Sequence, residues 1–258
     1  MDRTERFYRR IIVLKLNKPI QILHYDTIDS TNTEARRLYE QGERGPIWIV
    51  ADEQKAGRGR MGRTWHSEPG NLYSTLLFPC SAPPIKQAQI SFVAALAVHD
   101  VATSFITNSS ISLKWPNDCL IDGAKFCGIL SEVIAPSQIV LGIGINIAHA
   151  PKDTAYAATH LKGTTVKAAH EVLSASLQNW LKIWNNARDF ETIKFAWESK
   201  ALNLGKAVSV DTGRAIRQGT FKGLDDDGAM ILLQSDNTEI TIHAGDVRVQ
   251  LTKENHTA

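Results

Sequence analysis

The sequence has few cysteines and no long apolar run. The three cysteines, Cys80, Cys119 and Cys127, are odd in number and lack CxxC spacing, which argues against a disulfide framework. The longest apolar stretch, residues 90–98, is well short of the roughly 20 residues that span a bilayer. Residues 11–14 are likewise too short for the apolar core of a signal peptide. These absences predict a protein of a reducing, cytoplasmic compartment with no membrane partner.

The chain also lacks a strong charge of either sign. Its 258 residues include 29 Lys and Arg against 27 Asp and Glu, a net charge of +2 with histidine neutral. Because duplex-binding proteins usually have a stronger basic bias, nucleic acid is not expected as the main partner. Hydrophobic residues at 43% and charged residues at 22% are ordinary for a globular protein with a sizeable core.

Several catalytic motifs are missing. The sequence contains no GxxxxGK followed by Ser or Thr, no HExxH, no GxSxG and no paired Cys/His clusters. These absences exclude a P-loop nucleotide site, the usual zinc sites and a serine-hydrolase elbow. The eight histidines are scattered singly, and we expect them to be structural or at the surface.

Hydrophobic periodicity predicts a main domain in which strands and helices are intermixed without strict β-α-β alternation. This order indicates an α+β fold with a mixed or antiparallel sheet. The spacing of Thr31 and Glu34 is that of a capping box and predicts a helix that ends at Gly42. The other predicted helices span residues 85–106, 166–184 and 189–199. The predicted strands span residues 20–25, 47–51, 72–78, 111–115, 120–121, 128–134 and 138–147.

After residue 204 the pattern changes to short strands separated by polar turns. A tail of roughly 55 residues is expected to form a small β-barrel that is stable when docked. We therefore divide the chain into an N-terminal extension (1–19), a main domain (20–202) and a C-terminal domain (203–258). The predicted strands of this last domain span residues 207–210, 215–224, 230–233, 239–243 and 247–251.

Residues 52–70 are rich in Gly and Arg and have no apolar period, so they are expected to form a loop. Residues 57–62 read GRGRMG and match the dinucleotide pattern GxGxxG, but the RTWHSEPG that follows does not open the helix which that fold requires. The dinucleotide interpretation is therefore rejected. The loop glycines instead let the backbone approach a ligand closely.

The same loop carries four cations, Lys55, Arg58, Arg60 and Arg63, beside the flat ring of Trp65. Four cations on a flexible backbone suit an anion with several oxygens, such as a nucleotide phosphate. A solvated basic loop and a nucleic-acid contact remain open on composition alone.

Two further segments place polar groups beside strands. Residues 114–118 read KWPND and predict a rigid turn that holds a cation, an amide and a carboxylate, although a plain turn explains the same letters. Lys125 follows a sequence typical of a hairpin turn. Without a role in binding, it would be a lysine at a strand edge whose ammonium reaches into solvent. Gly142 and Gly144 share one face of a strand, where either a ligand or a packed helix can lie on the backbone.

The order of these segments closely resembles that of the biotin–protein ligases (biotin–acetyl-CoA-carboxylase ligases). The GRGRMGR loop together with KWPND is a specific signature, and the similarity covers about residues 20–251. It implies a catalytic domain related to class II aminoacyl-tRNA synthetases and an SH3-like C-terminal domain. The segments that carry it are Ser30-Thr31-Asn32, Gln54 with residues 57–65, and residues 114–118, 125–130 and 142–146.

The resemblance implies an ATP-dependent ligase that acts in two steps. The biotin carboxylate attacks the α-phosphate of ATP, which gives biotinyl-5′-AMP and pyrophosphate. A lysine of the biotin carboxyl carrier protein then attacks the mixed anhydride and releases AMP. Because two anions must be brought together, preorganised cations are the main requirement. By resemblance, Lys125, Arg60 and Arg58 are the catalytic residues, and Mg²⁺ is held mainly by the ATP phosphates.

The resemblance also assigns the other site residues. Trp65 is expected to pack on adenine, and the loop is expected to be disordered without ligand and to exclude water once it closes. The strand glycines are expected to let the biotin rings lie on the backbone. The expected ATP-binding residues are Arg60, Arg63, Trp65, Lys114, Asn117 and Asn146. The expected biotin-binding residues are Ser30, Thr31, Asn32, Gln54, Arg58, Gly59, Arg60, Lys125, Gly128, Gly142 and Gly144.

Some relatives carry an N-terminal helix-turn-helix that represses biotin synthesis genes. Only about 20 residues precede the catalytic pattern here, so no sequence-specific DNA binding is expected. Met61 stands where several relatives have a basic residue. The resemblance leaves monomer and homodimer open.

Two alternative functions remain. A lipoate or octanoate ligase shares the fold, but the hydroxyls of Ser30 and Thr31 with Gln54 favour biotin, whose ureido group needs polar partners. A nucleic-acid-binding module would use the Gly/Arg loop and the C-terminal domain. The acidic residues that argue against this module are Asp225, Asp226, Asp227, Asp236, Glu239 and Asp246.

Overall fold

The structure, a computed structural model, describes residues 9–12, 20–152 and 154–249. The strands of its larger sheet are β1 (Arg9–Ile12), β2 (Gln21–Ile28), β3 (Ile47–Gln54), β4 (Leu72–Pro79), β5 (Ile111–Lys114), β6 (Asp118–Ile121), β7 (Ala124–Ala135) and β8 (Gln138–Ile145). Their order is β1-β2-β3-β4-β8-β7-β6-β5. Only β2 and β3 run parallel, so the sheet is mixed, as the sequence predicted. The edge strand β1 comes from the segment that the sequence analysis assigned to the N-terminal extension.

Four α-helices are present among the described residues: α1 (Thr31–Glu40), α2 (Ile90–Phe105), α3 (Val166–Trp184) and α4 (Phe190–Glu198). The helix predicted over residues 85–106 is α2 preceded by a 3-10 turn, Pro84–Gln89. The bounds predicted for α3 are those observed.

The cap of α1 differs from the predicted one. Ser30 is the N-cap, and its hydroxyl oxygen accepts the backbone N–H of Thr33 at 3.5 Å. Thr31, the predicted cap, is instead the first helical residue. Glu34 therefore lies too far along the helix for a capping box, and it accepts a hydrogen bond from the hydroxyl of Tyr25 at 3.0 Å.

The main sheet has two different faces. Neighbouring strand residues point to opposite sides, so Leu141 joins the large core with α2, α3 and α4 while Val140 joins a smaller cluster under α1. Helix α2 with its preceding turn is long and apolar enough to cross a bilayer by length and composition alone. Most of its side chains are buried against the sheet and neighbouring helices, which is the arrangement of a core helix.

The C-terminal strands form a separate antiparallel sheet, as the SH3-like prediction requires. They are β9 (Ala207–Asp211), β10 (Ile216–Leu224), β11 (Met230–Leu233), β12 (Glu239–Ile242) and β13 (Asp246–Val249), in the order β12-β11-β10-β9-β13. Residues 250 and 251, predicted to end the last strand, lie outside the described residues.

The acidic turn between β10 and β11 docks on the main domain. Asp227 lies 2.7 Å from the ammonium of Lys86, and Trp115 donates its indole N–H to the carbonyl of Gly228 at 3.1 Å. Gly228 is packed so closely that a Cβ there would lie 2.5 Å from the ring of Phe92. This acidic turn is therefore in part a contact between the C-terminal domain and the main domain.

A buried histidine of α3 gives the fold a dependence on pH. His170 packs edge-on against Trp48, with 4.9 Å between the ring centroids, and its Nε2 has no partner among the described residues. Burial, together with the nearby His24, lowers the pKa of His170 to about 4.

We predict that this histidine reduces stability as the pH falls from about 6.5 towards 4. An unfolded histidine has a pKa of about 6.5, so the unfolded state takes up the proton first. The contribution is constant above that pH, and up to about 3 kcal/mol is lost by about pH 4. Urea unfolding of wild type and His170→Leu at pH 7.5, 6 and 4.5 measures the difference. Parallel pH profiles for the two proteins would contradict this assignment.

Candidate active site

A cavity of about 330 Å³ lies on the α1 face of the main sheet. The start of α1, the loop of residues 52–70 and the middle of β7 and β8 form its walls. It brings together most of the site residues predicted from the sequence. Those that line it are Ser30, Thr31, Asn32, Gln54, Arg58, Gly59, Arg60, Arg63, Trp65, Asn117, Lys125, Gly128, Gly142 and Gly144.

Two residues predicted to bind ATP do not line the cavity. Lys114 is the last residue of β5 and lies opposite Asp118 in β6. Asn146 follows β8 and is buried, and its side-chain amide donates to the carbonyl of Thr159 at 3.0 Å. Their contact with ATP stays a prediction.

Glycines create the hollow. Gly142 and Gly144 point to the same sheet face as Val140, and Gly128 lies opposite Gly144 in the neighbouring strand. A Cβ on Gly142 would lie 2.2 Å from Oδ1 of Asn32, so any side chain there would displace the cavity wall. The absence of side chains on this face is what leaves room for a ligand.

Arg60 is the most buried cation of the loop. Its guanidinium donates to Oδ1 of Asn117 at 3.0 Å, and Nδ2 of Asn117 in turn donates to the carbonyl of Ile129 at 2.6 Å. Burial lowers the pKa of Arg60, and the carboxylates of Asp246 and Asp118 oppose this shift. A guanidinium keeps its charge in such surroundings, so Arg60 faces the cavity as a fixed cation.

Lys125 is held from three sides. Its ammonium lies 2.6 Å from a carboxylate oxygen of Asp118, and it lies 5.5 Å and 5.1 Å from the ring centroids of Trp65 and Tyr156. The side chain is 15% exposed. Two aromatic faces and one carboxylate leave the ammonium little freedom, and such faces attract a cation.

The other two loop arginines have partners outside the cavity. Arg58 lies 3.4 Å from a carboxylate oxygen of Glu132. Arg63 forms two contacts with the carboxylate of Asp246 in β13, at 3.1 and 3.2 Å, which joins the loop to the C-terminal sheet. Met61 has a positive φ of 56° and a side chain that is 71% exposed, so it points away from the cavity walls.

A chain of hydrogen bonds forms the polar wall. Thr31 donates its hydroxyl to Oε1 of Gln54 at 3.0 Å, and Nε2 of Gln54 donates to the hydroxyl of Ser67 at 2.9 Å. Thr75 faces two acceptors, Oγ1 of Thr31 at 2.8 Å and Oδ1 of Asn32 at 2.7 Å. A hydroxyl has one proton, and Thr31 has its own, so Thr75 can donate to Oδ1 of Asn32. An amide oxygen has two lone pairs and Thr75 fills only one, so Oδ1 of Asn32 can also accept a hydrogen bond from a ligand or from water.

Ser30 adds a donor to the same wall. Its oxygen accepts the N–H of Thr33 as the helix cap, which leaves the hydroxyl proton free to point elsewhere. The wall thus offers both an acceptor and a donor within one turn of α1, which is the polarity that a planar urea requires.

The ring of Trp65 covers the backbone of two cavity glycines. Ideal Cβ atoms on Gly128 and Gly144 would lie 2.9 Å and 2.6 Å from its ring atoms. Its indole N–H is buried and has no partner among the described residues. Biotin rings can lie on these glycines only if the indole moves aside. The expected disorder of the free loop stays a prediction.

We predict that this movement is visible in tryptophan fluorescence. Biotin and ATP added together should change the intrinsic emission, and Trp65→Phe should lose most of that change. Trp180→Phe is the matched control, because Trp180 lies on α3 and bonds to Asp100 outside the cavity. A ligand-induced change that survives in Trp65→Phe would show that the ring stays in place.

Sequence reasoning missed several polar residues of the site. Thr75 and Glu132 lie inside apolar strands, and Tyr156 lies in an irregular segment that reaches the cavity. One signal was available for Glu132, because positions 128, 130 and 132 share a face by the two-residue period of a strand. The contacts themselves follow from strand register, which the sequence does not state.

The cavity is poor in metal ligands. Asp118 is the one carboxylate that lines it among the described residues, and Lys125 already occupies it. This donor set suits a magnesium ion that arrives on phosphates rather than a protein-built metal cage. One other group of described residues is close enough to ligate an ion, namely His24, Asp26 and Asp52, which lie on β2 and β3 away from the cavity.

The fold is that of the class II synthetase-like protein ligases. The model of the Biotin/lipoate A/B protein ligase family matches residues 25–147, and that of the Biotin protein ligase C terminal domain matches residues 204–249. The chain is similar to the biotin–acetyl-CoA-carboxylase ligase of Paracoccus denitrificans, at 36% identity over 79% of this chain and 90% of that protein.

Two further comparisons agree. The bifunctional ligase/repressor BirA of Bacillus subtilis is 31% identical over 88% of this chain and 74% of its own length. The biotin protein ligase of Aquifex aeolicus, solved in complex with biotin and ATP, superposes with a TM-score of 0.76 at 30% identity, over 88% of this chain and 98% of that one. The chain belongs to the biotin/lipoate A/B protein ligase family and carries the C-terminal domain of the biotin protein ligases.

Proposed function

We propose that this protein is a biotin–protein ligase that activates biotin with ATP and transfers it to a lysine of a carboxylase carrier protein. The observation that carries this proposal is a wall of hydrogen-bond donors and acceptors beside two anchored cations, all within one cavity. The enzyme is an ATP-dependent ligase, and its substrates are biotin and ATP.

The polar wall supports biotin as the acid. The ureido group has two N–H donors and one carbonyl acceptor, and the wall offers the second lone pair of the Asn32 amide oxygen and a free hydroxyl proton at Ser30. The dithiolane ring of lipoate has no hydrogen-bond donor. It would not make the additional hydrogen bond to Asn32, which is worth about 0.5–1.5 kcal/mol.

The cations support the adenylation step. Arg60 and Lys125 lie on the walls of the same cavity, and both are held there by other groups of the chain. They would draw the biotin carboxylate and the α-phosphate together and stabilise the charge that builds during the attack. Arg63 and Trp65 would contact the adenylate from the loop and Arg58 would contact biotin, and the loop would also keep water from the anhydride.

The second step needs little more from the protein. The lysine of the carrier must lose its proton and attack the anhydride carbonyl, while AMP leaves with the bonding electron pair. Asp118 is the carboxylate nearest to this centre among the described residues, and its pairing with Lys125 keeps that ammonium in position. Mg²⁺ would be held mainly by the ATP phosphates, whose charge it would partly neutralise.

The partner, the location, the oligomeric state and the domain division are also part of this proposal. The named relatives imply a biotin carboxyl carrier protein as partner, and we propose a cytoplasmic location and an absence of sequence-specific DNA binding. Monomer and homodimer remain alternatives. We keep the division into residues 1–19, 20–202 and 203–258, with the strand β1 drawn from the first segment.

We predict that pyrophosphate exchange into ATP requires biotin. Purified protein with Mg²⁺ is assayed with biotin, with lipoate and with neither acid. Arg60→Ala and Lys125→Ala should each reduce biotin-dependent exchange by about 10²-fold or more, because a fixed charge at the reacting groups is lost. Lys55→Ala is the matched control, since Lys55 belongs to the same loop but pairs with Glu53 outside the cavity.

The arms of this assay separate the alternatives. Exchange with lipoate alone would keep the fold and change the substrate. Exchange with neither acid, together with oligonucleotide binding that weakens steeply with salt, would favour the nucleic-acid-binding module. An equal loss in Lys55→Ala would show that general loop charge, rather than the cavity cations, controls the rate.

A further inference from the structure

One partly buried carboxylate outside the cavity contacts two residues of its wall. Glu132 accepts a hydrogen bond from Nδ2 of Asn32 at 2.8 Å, and it lies 3.0 Å from Arg36 and 3.4 Å from Arg58. Its side chain is 19% exposed, and it lies on the same face of β7 as Gly128. It does not line the cavity itself.

This contact fixes which way the amide of Asn32 points. A side-chain amide has an oxygen end and a nitrogen end of nearly equal size, so its orientation depends on its neighbours. An ionised carboxylate only accepts hydrogen bonds, so the nitrogen end of Asn32 must face Glu132. The carbonyl of Leu130, 3.4 Å from the same nitrogen, is a second acceptor on that side. The oxygen end must then face Thr75 and the cavity.

The charge of Glu132 is stable in this position. Burial raises the pKa of its carboxyl, but hydrogen bonds from Asn32 and Arg36 and the nearby charge of Arg58 outweigh burial and hold the pKa below its usual value. The carboxyl therefore stays ionised at neutral pH and cannot donate a proton to an inverted amide.

The orientation of the Asn32 amide decides whether the cavity pairs with a donor or with an acceptor of the ligand. With Oδ1 turned inward, that oxygen accepts the proton of Thr75 and has a second lone pair for a ligand N–H. With the amide inverted, a ligand N–H would meet the N–H of Asn32 instead.

We propose that Glu132 is a positioning residue for substrate choice: it locks the Asn32 amide so that the cavity accepts a ligand N–H, and so selects the ureido ring of biotin. The inference rests on the proposed function and extends it to a residue that does not touch the substrate. Glu132 acts only through Asn32, by fixing which end of that amide faces the ligand.

The test exchanges the amide and the carboxylate. In Glu132→Gln an amide faces an amide, so the orientation of Asn32 is no longer fixed. In Asn32→Asp two carboxylates face each other. In the double variant Asn32→Asp/Glu132→Gln the new amide donates to the new carboxylate, whose other oxygen again faces the cavity.

We expect each single variant to raise the KM for biotin about tenfold or more, with smaller effects on kcat and on the KM for ATP. The double variant should recover most of the loss in biotin KM, which a structural effect of two separate substitutions would not do. Arg36→Gln is the matched control, because it removes a partner of Glu132 and leaves the bond to Asn32; its biotin KM should stay within about twofold of wild type.

A second readout needs no substrate. The side-chain amide protons of Asn32, assigned by NMR in the free protein, should exchange slowly in wild type and faster in Glu132→Gln. If wild type shows no biotin-dependent exchange of pyrophosphate but the amide signal depends on Glu132, the proposed function fails and the locking of Asn32 stands. If wild type is active and Glu132→Gln keeps both its biotin KM and its amide signal, the positioning role is wrong. A double variant no better than the product of the two singles would also overturn it.

Discussion

Repulsion between two anions is the constraint on which this site depends. Two unit charges 4 Å apart interact by about 4 kcal/mol at an effective dielectric of 20, so a carboxylate and a phosphate do not meet unaided. The chain offsets this repulsion with cations that other residues hold at fixed positions. Arg60 is held by the neutral amide of Asn117 and so keeps its full charge for the ligand. Lys125 is held by Asp118, which neutralises part of its charge but fixes its place between two aromatic rings.

Fixed cations need a rigid base, and the two-faced sheet supplies it. One face buries large apolar side chains against α2, α3 and α4, and these determine where β4, β7 and β8 lie. The core face of these strands carries isoleucine and leucine, whereas the cavity face carries glycines. The same strands therefore form the core on one side and leave the hollow on the other. Because alternate residues of one strand serve the two faces, the apolar pattern of Ile143 and Ile145 and the glycines at 142 and 144 are parts of one arrangement.

Features that depend on neighbouring residues along the chain were predicted better than contacts between distant residues. The bounds of α3 and the turn at Asp122, where φ is positive, follow from neighbours along the chain and were predictable. The cap of α1 was predicted one residue late, because Ser30 and Thr31 are both good caps and only the fold assigns Thr31 to Gln54. The contact of Glu132 with the cavity wall joins residues a hundred positions apart. It follows from strand register, on which a single sequence with few turn signals gives no information.

The wall and the loop of the site are held by different kinds of contact, and this difference suits a ligase. The wall that would read biotin is built from buried groups, such as Thr31 and Thr75, whose hydrogen bonds are costly to leave unmade. The loop that would meet ATP is held instead by exposed ion pairs, among them Arg63 with Asp246, and such pairs contribute about 0–1 kcal/mol. A phosphate can therefore replace Asp246 at little cost, while no ligand readily rearranges the wall. On the proposed function, specificity would reside in the buried wall of the cavity, and any opening and closing would fall to the loop whose ion pairs exchange easily.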